Sequence, residues 1–345
     1  MSRWKKVIAT SSTLTMLSVL SLGAFAEELT YSDHQPIGQM RTDFLKDVLF
    51  PAIEQESNGR LNINNHWNGE LAIAYEALPT LKEGKTVDIS TIVPEYTAKE
   101  LPLSQIFKSF PVGPSGQDQV TLFRDIFESI PEFEQEFHAN NLQPIFLSTG
   151  YPVGFFGTKP VDSINDIQGQ KWRSASFWHL DFLRKAEADP VRTHWSPEIY
   201  DMLQDGRLDG IYVNIDSAYN LKLHEKAPYA LISKNMWLGH LYVVAMNKTK
   251  YDELDQMDKD AIKRAASRAY RQQGQNMEEQ FDAMVGKLRS EGTNIRFMTD
   301  EEVEQWAHMT HYQSIQRQWA EKQAEAGVTN VEDVIYKVTR VKRSF

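Results

Sequence analysis

The stretch that decides the fold begins in the middle of the chain, at Lys159-Pro-Val-Asp-Ser-Ile-Asn-Asp-Ile-Gln-Gly-Gln-Lys-Trp-Arg-Ser174. It continues, after a gap, at Glu198-Ile-Tyr-Asp-Met-Leu-Gln-Asp-Gly-Arg-Leu-Asp-Gly210. The second part is typical of a helix that ends at Gly206 and leads through Asp209 into a strand, because glycine tolerates the left-handed conformation that closes a helix. An earlier segment, residues 81–89, repeats this arrangement with Gly84 and Asp88. The repeat suits two similar lobes that face each other across a cleft, although a coincidence between two ordinary α/β units remains open.

The rest of the chain extends the alternation of strands and helices. We predict strands at 28–31, 61–65, 87–93 and 144–156, with helices at 44–53, 75–82 and 119–140 between them. Hydrophobic spacing of three and four residues indicates the helices, and short apolar runs indicate the strands. From residue 251 onward the chain becomes strongly helical, and its end, 337–343, is mildly basic and is expected to be solvated. The predicted fold class is α/β, in which strand ends carry ligand-binding loops.

The N-terminus predicts export. Basic residues at 3, 5 and 6 precede the largely apolar stretch 7–26, which ends in Ala24-Phe-Ala26, a pattern typical of a signal peptidase site. The alternative is a transmembrane anchor, but seven serines and threonines interrupt this stretch. Removal of residues 1–26 leaves 34 basic against 47 acidic residues, so the formal net charge changes from −10 to −13.

Composition and motifs exclude several functions. An acidic chain lacks the basic face that nucleic acid requires, so no nucleic-acid partner is expected. The absence of cysteine removes disulfides, thiol nucleophiles and cysteine-based metal sites. There is no serine-nucleophile elbow, phosphate-binding loop, dinucleotide fingerprint or zinc-protease motif. His308 and His311 could share a metal, but no third ligand is evident, so neither a metal nor another cofactor is predicted.

The two quoted segments resemble the second-lobe signature of substrate-binding proteins from tripartite ATP-independent periplasmic (TRAP) transporters, the DctP-like family. The shared pattern is a Pro-Val turn, an Asp-x-x-Gly-x-Lys-x-Arg strand start and a Glu-x-Tyr-x-x-Leu-Gln-x-Gly-x-x-Asp-Gly helix end. Further matches include Ser57-Asn-Gly-Arg-Leu61, Gly69-Glu-Leu71, Leu101-Pro-Leu103, Phe110-Pro111 and Met246-Asn247, so that the resemblance covers most of residues 28–275.

The resemblance implies two α/β lobes, joined by strand crossovers and a long hinge helix, that close over a small organic anion. The expected domains are a signal peptide at 1–26, a first lobe of 27–150 plus 239–278, a second lobe of 151–238 plus 279–330, and a tail at 331–345. The resemblance further implies that the protein works in the periplasm and hands a carboxylate to the small and large membrane subunits of a transporter driven by an ion gradient.

Arg173 matches the arginine with which the family pairs the ligand carboxylate. The chemistry is suitable, because a planar guanidinium donates two parallel hydrogen bonds and keeps its charge when desolvated. Asn214 stands where the family places an asparagine, and Asp216 is a weaker neighbouring candidate. Trp172 alternates with Arg173 along the strand, so we expect it to point into the core.

Aromatic and polar residues near other strand ends complete the candidate site. Trp195 and Trp237 lie in segments that lead towards the cleft, where large rings could form pocket walls. In the first lobe, the candidates that follow strands are His34, Trp67, Glu95 and Tyr96. Each of these aromatic residues could instead belong to the core.

The expected ligand follows from what the sequence lacks. Sialic-acid-binding relatives carry a second arginine on the strand that corresponds to 151–156, but this chain has no lysine or arginine there. We therefore expect a monocarboxylate whose remainder is apolar, aromatic or cationic. The alternatives are a secreted enzyme or a sensory ligand-binding protein that uses the same cleft. No nucleophile, metal site or tuned acid–base pair is visible, so we predict that the protein is not an enzyme.

Overall fold

The computed structural model describes residues 26–193, 196–237 and 241–345. The predicted signal peptide, apart from Ala26, and the candidate Trp195 lie outside the described residues. Within the described ranges, no helix has both the length and the apolar character needed to span a membrane.

The strands and helices alternate through most of the chain. The strands are β1 Glu27–Ser32, β2 Leu61–His66, β3 Ile89–Ile92, β4 Leu142–Thr149, β5 Val153–Gly157, β6 Lys171–Ser174, β7 Asp189–Arg192, β8 Gly210–Asn214, β9 Tyr229–Ile232, β10 Leu241–Asn247 and β11 Asn294–Phe297. The α-helices are α1 Met40–Phe44, α2 Phe50–Glu56, α3 Ala77–Glu83, α4 Gly116–Ser129, α5 Pro131–Ala139, α6 Phe177–Lys185, α7 Glu198–Gln204, α8 Ile215–Asn220, α9 Lys248–Glu253, α10 Gln256–Ser290, α11 Asp300–Met309, α12 Tyr312–Glu325 and α13 Val331–Lys342. Leu45–Leu49 forms a π-helical turn, and short 3-10 turns occur at Pro94–Thr97, Leu103–Ser109, Ile164–Ile167 and Leu223–Glu225.

Two mixed sheets form the centres of two lobes. The first sheet has the order β2-β1-β3-β10-β4, and the second has the order β11-β9-β5-β8-β6-β7. Five strands of the two sheets correspond when the second sheet is read from β7. Each sheet begins with three parallel strands, β2-β1-β3 in the first and β7-β6-β8 in the second. An antiparallel strand follows, β10 or β5, and then β4 or β9. The predicted two-lobed α/β class is confirmed.

The sequence repeat corresponds to the same joint in both sheets. The Asp88 carboxylate accepts a hydrogen bond from the Thr30 amide at 2.8 Å, and the Asp209 carboxylate accepts one from the Lys171 amide at 2.9 Å. Each aspartate also donates its own amide to the carbonyl of the same partner residue at 2.9 Å. Both aspartates therefore fasten the start of one parallel strand to its neighbour, β3 to β1 and β8 to β6.

The chain passes between the lobes several times. It leaves the first sheet after Thr149 and enters the second at Val153, so the single strand predicted over 144–156 is wrong. Pro152 lies in the interruption, where the absence of an amide hydrogen prevents a continuous ladder. The chain returns between β9 and β10, and the 35-residue helix α10 then leads from the first lobe to β11 of the second.

The C-terminal region is not a solvated tail. Residues 331–342 form α13, which buries Val331, Val334 and Val338 on one face. Lys337 anchors this helix through an ion pair with Glu132 at the start of α5, at 2.6 Å. The valine spacing of three and four residues was the available signal, and it outweighs the basic composition because it allows apolar burial.

Helix α12 contacts both lobes. Its Gln316 amide donates to Ser109 Oγ at 2.7 Å, and the Tyr312 ring packs against Phe110, both in the first lobe. Further along the helix, the Trp319 ring lies 5.2 Å from the ring of Trp178 in the second lobe.

Candidate ligand-binding cleft

A cleft of about 370 Å³ lies between the carboxyl ends of the parallel strands of the two sheets. Its walls include His34, Glu95 and Tyr96, which follow β1 and β3 of the first lobe. The opposite wall includes Arg173 on β6, Asn214 at the end of β8 and Asp216 in the first turn of α8. A larger groove of about 640 Å³ between α4 and α13 is more open and contains none of the predicted site residues.

Arg173 occupies the cleft wall because strand β6 alternates its side chains. Its neighbour Trp172 points into the second-lobe core, where its ring lies 5.5 Å from that of Phe155. Arg173 is only 2% exposed, and its Nη2 donates a hydrogen bond to the Thr193 carbonyl at 2.7 Å. Burial lowers the pKa of Arg173 to about 10, although Glu95 and Tyr96 oppose this shift. The guanidinium therefore remains charged near pH 7, in surroundings that an added anion would make more favourable.

Asn214 and Asp216 are held by the backbone at the junction of β8 and α8. The Asn214 side chain donates to the Tyr151 carbonyl at 2.6 Å, which fixes the orientation of the amide at the cleft wall. The Asp216 carboxylate accepts hydrogen bonds from the backbone amides of Asp216 and Ser217, but burial raises its pKa to about 6. Its Oδ1 atom is buried and has no hydrogen-bond partner among the described residues.

The first-lobe wall combines an ion pair with aromatic rings. Glu95 accepts a hydrogen bond from the ammonium of the buried Lys108, so this carboxylate has a cation behind it. The ring of Tyr96 lies 4.7 Å from that of Tyr75 and 6.3 Å from that of His34. Burial lowers the pKa of His34 to about 4, so its imidazole is neutral near pH 7.

A buried ion pair supports this wall from behind. The Arg41 guanidinium donates to both oxygens of Asp33, at 2.6 and 2.8 Å, and Tyr31 and Thr91 complete the network. Burial alone would raise the pKa of Asp33, but Arg41 lowers it to about 2. Burial alone would lower the pKa of Arg41, but Asp33 raises it above its ordinary value. The network therefore fixes the loop that carries His34.

Several lining residues were not predicted as site residues, among them Tyr212, His179 and Tyr242. Tyr212 precedes Asn214 by two positions on β8, so strand alternation could have identified it. His179 lies on α6, the helix that follows β6, and its Nδ1 is 3.2 Å from Ser174 Oγ. Tyr242 is at the beginning of β10, which is antiparallel and therefore starts at the edge where its neighbours end.

Two predicted tryptophans lie away from the cleft. Trp67 packs against the rings of Tyr31 and Phe50, because it follows the edge strand β2 and turns back over the first sheet. Trp237 is 3% exposed, and its ring lies 5.1 Å from that of Phe123. A Cβ atom at Gly113 would lie 2.6 Å from the Trp237 ring, so this ring fills a close contact in the first-lobe core.

Comparisons with known proteins agree with this architecture. The family model for bacterial extracellular solute-binding proteins, family 7 (DctP), matches residues 30–323. A sialic acid-binding periplasmic protein from Vibrio cholerae is 26% identical over 144 residues, which are 40% of this chain and 43% of that protein. A solute-binding protein from Chromohalobacter salexigens is 27% identical over 180 residues, 50% of this chain and 51% of that protein. The chain thus matches about half the length of these curated relatives.

Solved structures match over nearly the whole chain. A TRAP periplasmic solute-binding protein from Desulfovibrio salexigens, in an open complex, has a TM-score of 0.78 at 18% identity, covering 92% of this chain and 96% of that one. An extracytoplasmic solute receptor from Bordetella pertussis, described as binding pyroglutamic acid, has a TM-score of 0.72 at 16% identity and covers 91% of this chain and 100% of that one. At this identity the likeness establishes the fold.

Proposed function

The chain belongs to the bacterial extracellular solute-binding proteins of family 7, and from this premise we propose that it captures a small organic carboxylate between its lobes. It would then deliver this solute to the small and large membrane subunits of a TRAP-type transporter. The family is one of transport proteins and not of enzymes. The cleft volume of about 370 Å³ suits a small ligand.

The observation that carries the proposal is the buried charge of Arg173. Burial disfavours this cation, as its lowered pKa records, and a carboxylate would offset that cost with two parallel charge-assisted hydrogen bonds. Asn214 lies on the same cleft wall, and its amide, oriented by the Tyr151 carbonyl, would donate or accept a further bond. His34, Glu95 and Tyr96 would contact the ligand from the first lobe, and Asp216 would contact it from the second.

Capture would proceed by closure of the lobes. The cleft has walls from both sheets, and the chain connects these sheets through short crossovers and through α10. A ligand that bonds to Arg173 and also contacts Tyr96 gains free energy only when both walls are near, so its binding shifts the population towards the closed form.

The working place would be the periplasm, after removal of residues 1–26. We expect the protein purified from a periplasmic extract to begin at Glu27, as determined by N-terminal sequencing. A mature chain that retains residues 3–6 would contradict cleavage.

The binding test uses calorimetry with a panel of carboxylates. Four members are ligands named for similar proteins, pyroglutamate, D-glucuronate, D-galacturonate and sialic acid, and smaller monocarboxylates complete the panel. A panel member should bind with one site per chain and raise the melting temperature. The Arg173→Ala variant should lose about 2–5 kcal/mol of binding free energy, because the carboxylate loses a buried charged partner.

Arg184→Ala is the matched control, because Arg184 lies on the exposed side of α6 and pairs only with Asp181 among the described residues. Circular dichroism establishes that each variant is folded. Near-native affinity of folded Arg173→Ala would overturn the assignment of this residue, and failure of every carboxylate to bind would overturn the proposed function.

A further inference from the structure

Asp216 presents a carboxylate oxygen to the cleft for which the described residues offer no partner. The residue begins α8, and its carboxylate is held in place by two backbone amides from the same turn. The Oδ1 atom is buried and accepts no hydrogen bond within the described ranges. A buried, unsatisfied anionic oxygen is costly, because it has lost water without gaining a donor.

The other ionisable groups of the cleft do not supply that donor. Glu95 is engaged with Lys108 behind the first-lobe wall, and the imidazoles of His34 and His179 are neutral near pH 7 because burial lowers the pKa of each. Tyr242 lies close enough to Asp216 for the two groups to interact electrostatically, but burial raises the pKa of Tyr242, so its phenol is uncharged near pH 7 and does not compensate the charge of the carboxylate. The cleft therefore combines a positive group at Arg173 with a negative group at Asp216.

We propose that the solute is zwitterionic, with its carboxylate at Arg173 and a cationic nitrogen at Asp216. This inference rests on the proposed function and deepens it by selecting one ligand class. An ammonium or quaternary nitrogen would compensate the charge of the buried Asp216 carboxylate, and the nearby phenol ring of Tyr242 adds a surface that favours cations. A uronate would offer hydroxyl donors to that oxygen without compensating its charge, and a dicarboxylate would place a second anion against it.

The test compares molecules of the same shape that differ in one charge. Glycine betaine and 3,3-dimethylbutanoate differ only in nitrogen against carbon, and L-proline and cyclopentanecarboxylate differ only in the ring nitrogen. Calorimetry on the full mature chain measures the binding of both members of each pair. A pH of about 7.5 is chosen because Asp216 is then ionised. We expect the cationic member of at least one pair to bind at least about tenfold more tightly than its isostere.

The Asp216→Asn variant should reduce this preference to about threefold or less, because it removes the negative charge that the cationic nitrogen would face. Asp181→Asn, on the exposed side of α6, is the matched control and should keep the full preference. If Asp216→Asn does not fold, the paired comparison on the unchanged protein still decides the matter.

Two failures have different meanings. Equal or tighter binding of the isosteres that lack the cationic nitrogen would overturn the zwitterion and leave carboxylate capture intact. Binding of uronates or pyroglutamate with no binding of any zwitterion would have the same meaning. Failure of every carboxylate, charged or neutral at its far end, would overturn the proposed function and this inference with it.

Discussion

Each lobe buries an arginine beside the cleft, Arg41 in the first and Arg173 in the second, but the two guanidinium groups have different surroundings. Arg41 is 3% exposed and forms a two-pronged ion pair with Asp33. Arg173 is 2% exposed and donates to the carbonyl of Thr193. The pKa of Arg41 is raised above its ordinary value, whereas that of Arg173 is lowered to about 10.

The direction of the pKa shift distinguishes Arg41, which the protein pairs with a carboxylate, from Arg173, which we propose binds the solute. Around Arg41 the protein itself stabilises the positive charge, so this side chain contributes to folding. Around Arg173 the protein disfavours the positive charge, and an anionic ligand would reverse that effect. Burial alone, which is nearly equal for the two residues, does not make the distinction.

The largest expected effect is on folding, at the first-lobe pair. Arg41→Met should lower the free energy of unfolding by about 3–5 kcal/mol, because it leaves Asp33 buried without its counter-charge. Urea denaturation followed by circular dichroism measures the change. Arg264→Met is the control: Arg264 forms an exposed ion pair with Glu56, and its loss should cost less than about 1 kcal/mol. Equal losses of unfolding free energy in the two variants would contradict a structural role for Arg41.

Acid should weaken the first lobe through Asp33. Its folded-state pKa of about 2 lies below its ordinary value of 3.8, so the stabilisation is present above pH 4 and is lost as the pH falls towards 2. The loss should be about 2 kcal/mol. Urea denaturation of the unchanged protein and of Asp33→Asn across this range tests it, because the variant should show a smaller dependence on pH. The same dependence of the unfolding free energy on pH in both proteins would contradict a stabilising role for the ionised Asp33.

The second-lobe arginine should show the opposite sign. Arg173→Met should raise the free energy of unfolding of the ligand-free protein by about 1–2 kcal/mol, since a disfavoured buried charge is replaced by an apolar chain of similar length. The same urea experiment measures it, without added carboxylate. A destabilisation as large as that of Arg41→Met would show that both arginines are structural and would break the comparison.

The smallest effects should be equal in the two lobes. Asp88→Ala and Asp209→Ala should each cost about 1–2 kcal/mol, because each leaves a strand amide without its acceptor. Asp88 also pairs with Lys250 at 2.9 Å, so Lys250→Ala serves to subtract that contribution. After this subtraction, losses of unfolding free energy that differ by several-fold between the two variants would mean that Asp88 and Asp209 do not stabilise their lobes equally.

The family resemblance, for Arg173 and Asn214, and the positions that follow predicted strands, for the first-lobe candidates, identified much of the cleft lining. Arg173, Asn214 and Asp216 lie in or directly after β6 and β8, and His34, Glu95 and Tyr96 follow β1 and β3. All six line the cleft, because the carboxyl ends of parallel strands share one edge of a sheet.

The remaining features depend on contacts that no local pattern encodes. Tyr242 reaches the cleft from the beginning of a strand that runs in the opposite direction, so the rule for strand ends does not find it. Trp237 follows a strand of the second lobe but packs in the first, against Phe123, because the chain has already crossed. The break between β4 and β5 separates two apolar runs that the sequence predicts as one strand. Only the structure shows that the two runs belong to different sheets.

The position of α12 has a consequence for how long a solute stays bound. This helix grips Ser109 and Phe110 with one part and Trp178 with another, on two different lobes. A rotation that opens the cleft, as proposed, would shift at least one of these contacts, so the packing of α12 would add to the activation barrier to release. Residues of α12 would thereby influence the exit rate of the solute although they lie outside the cleft lining.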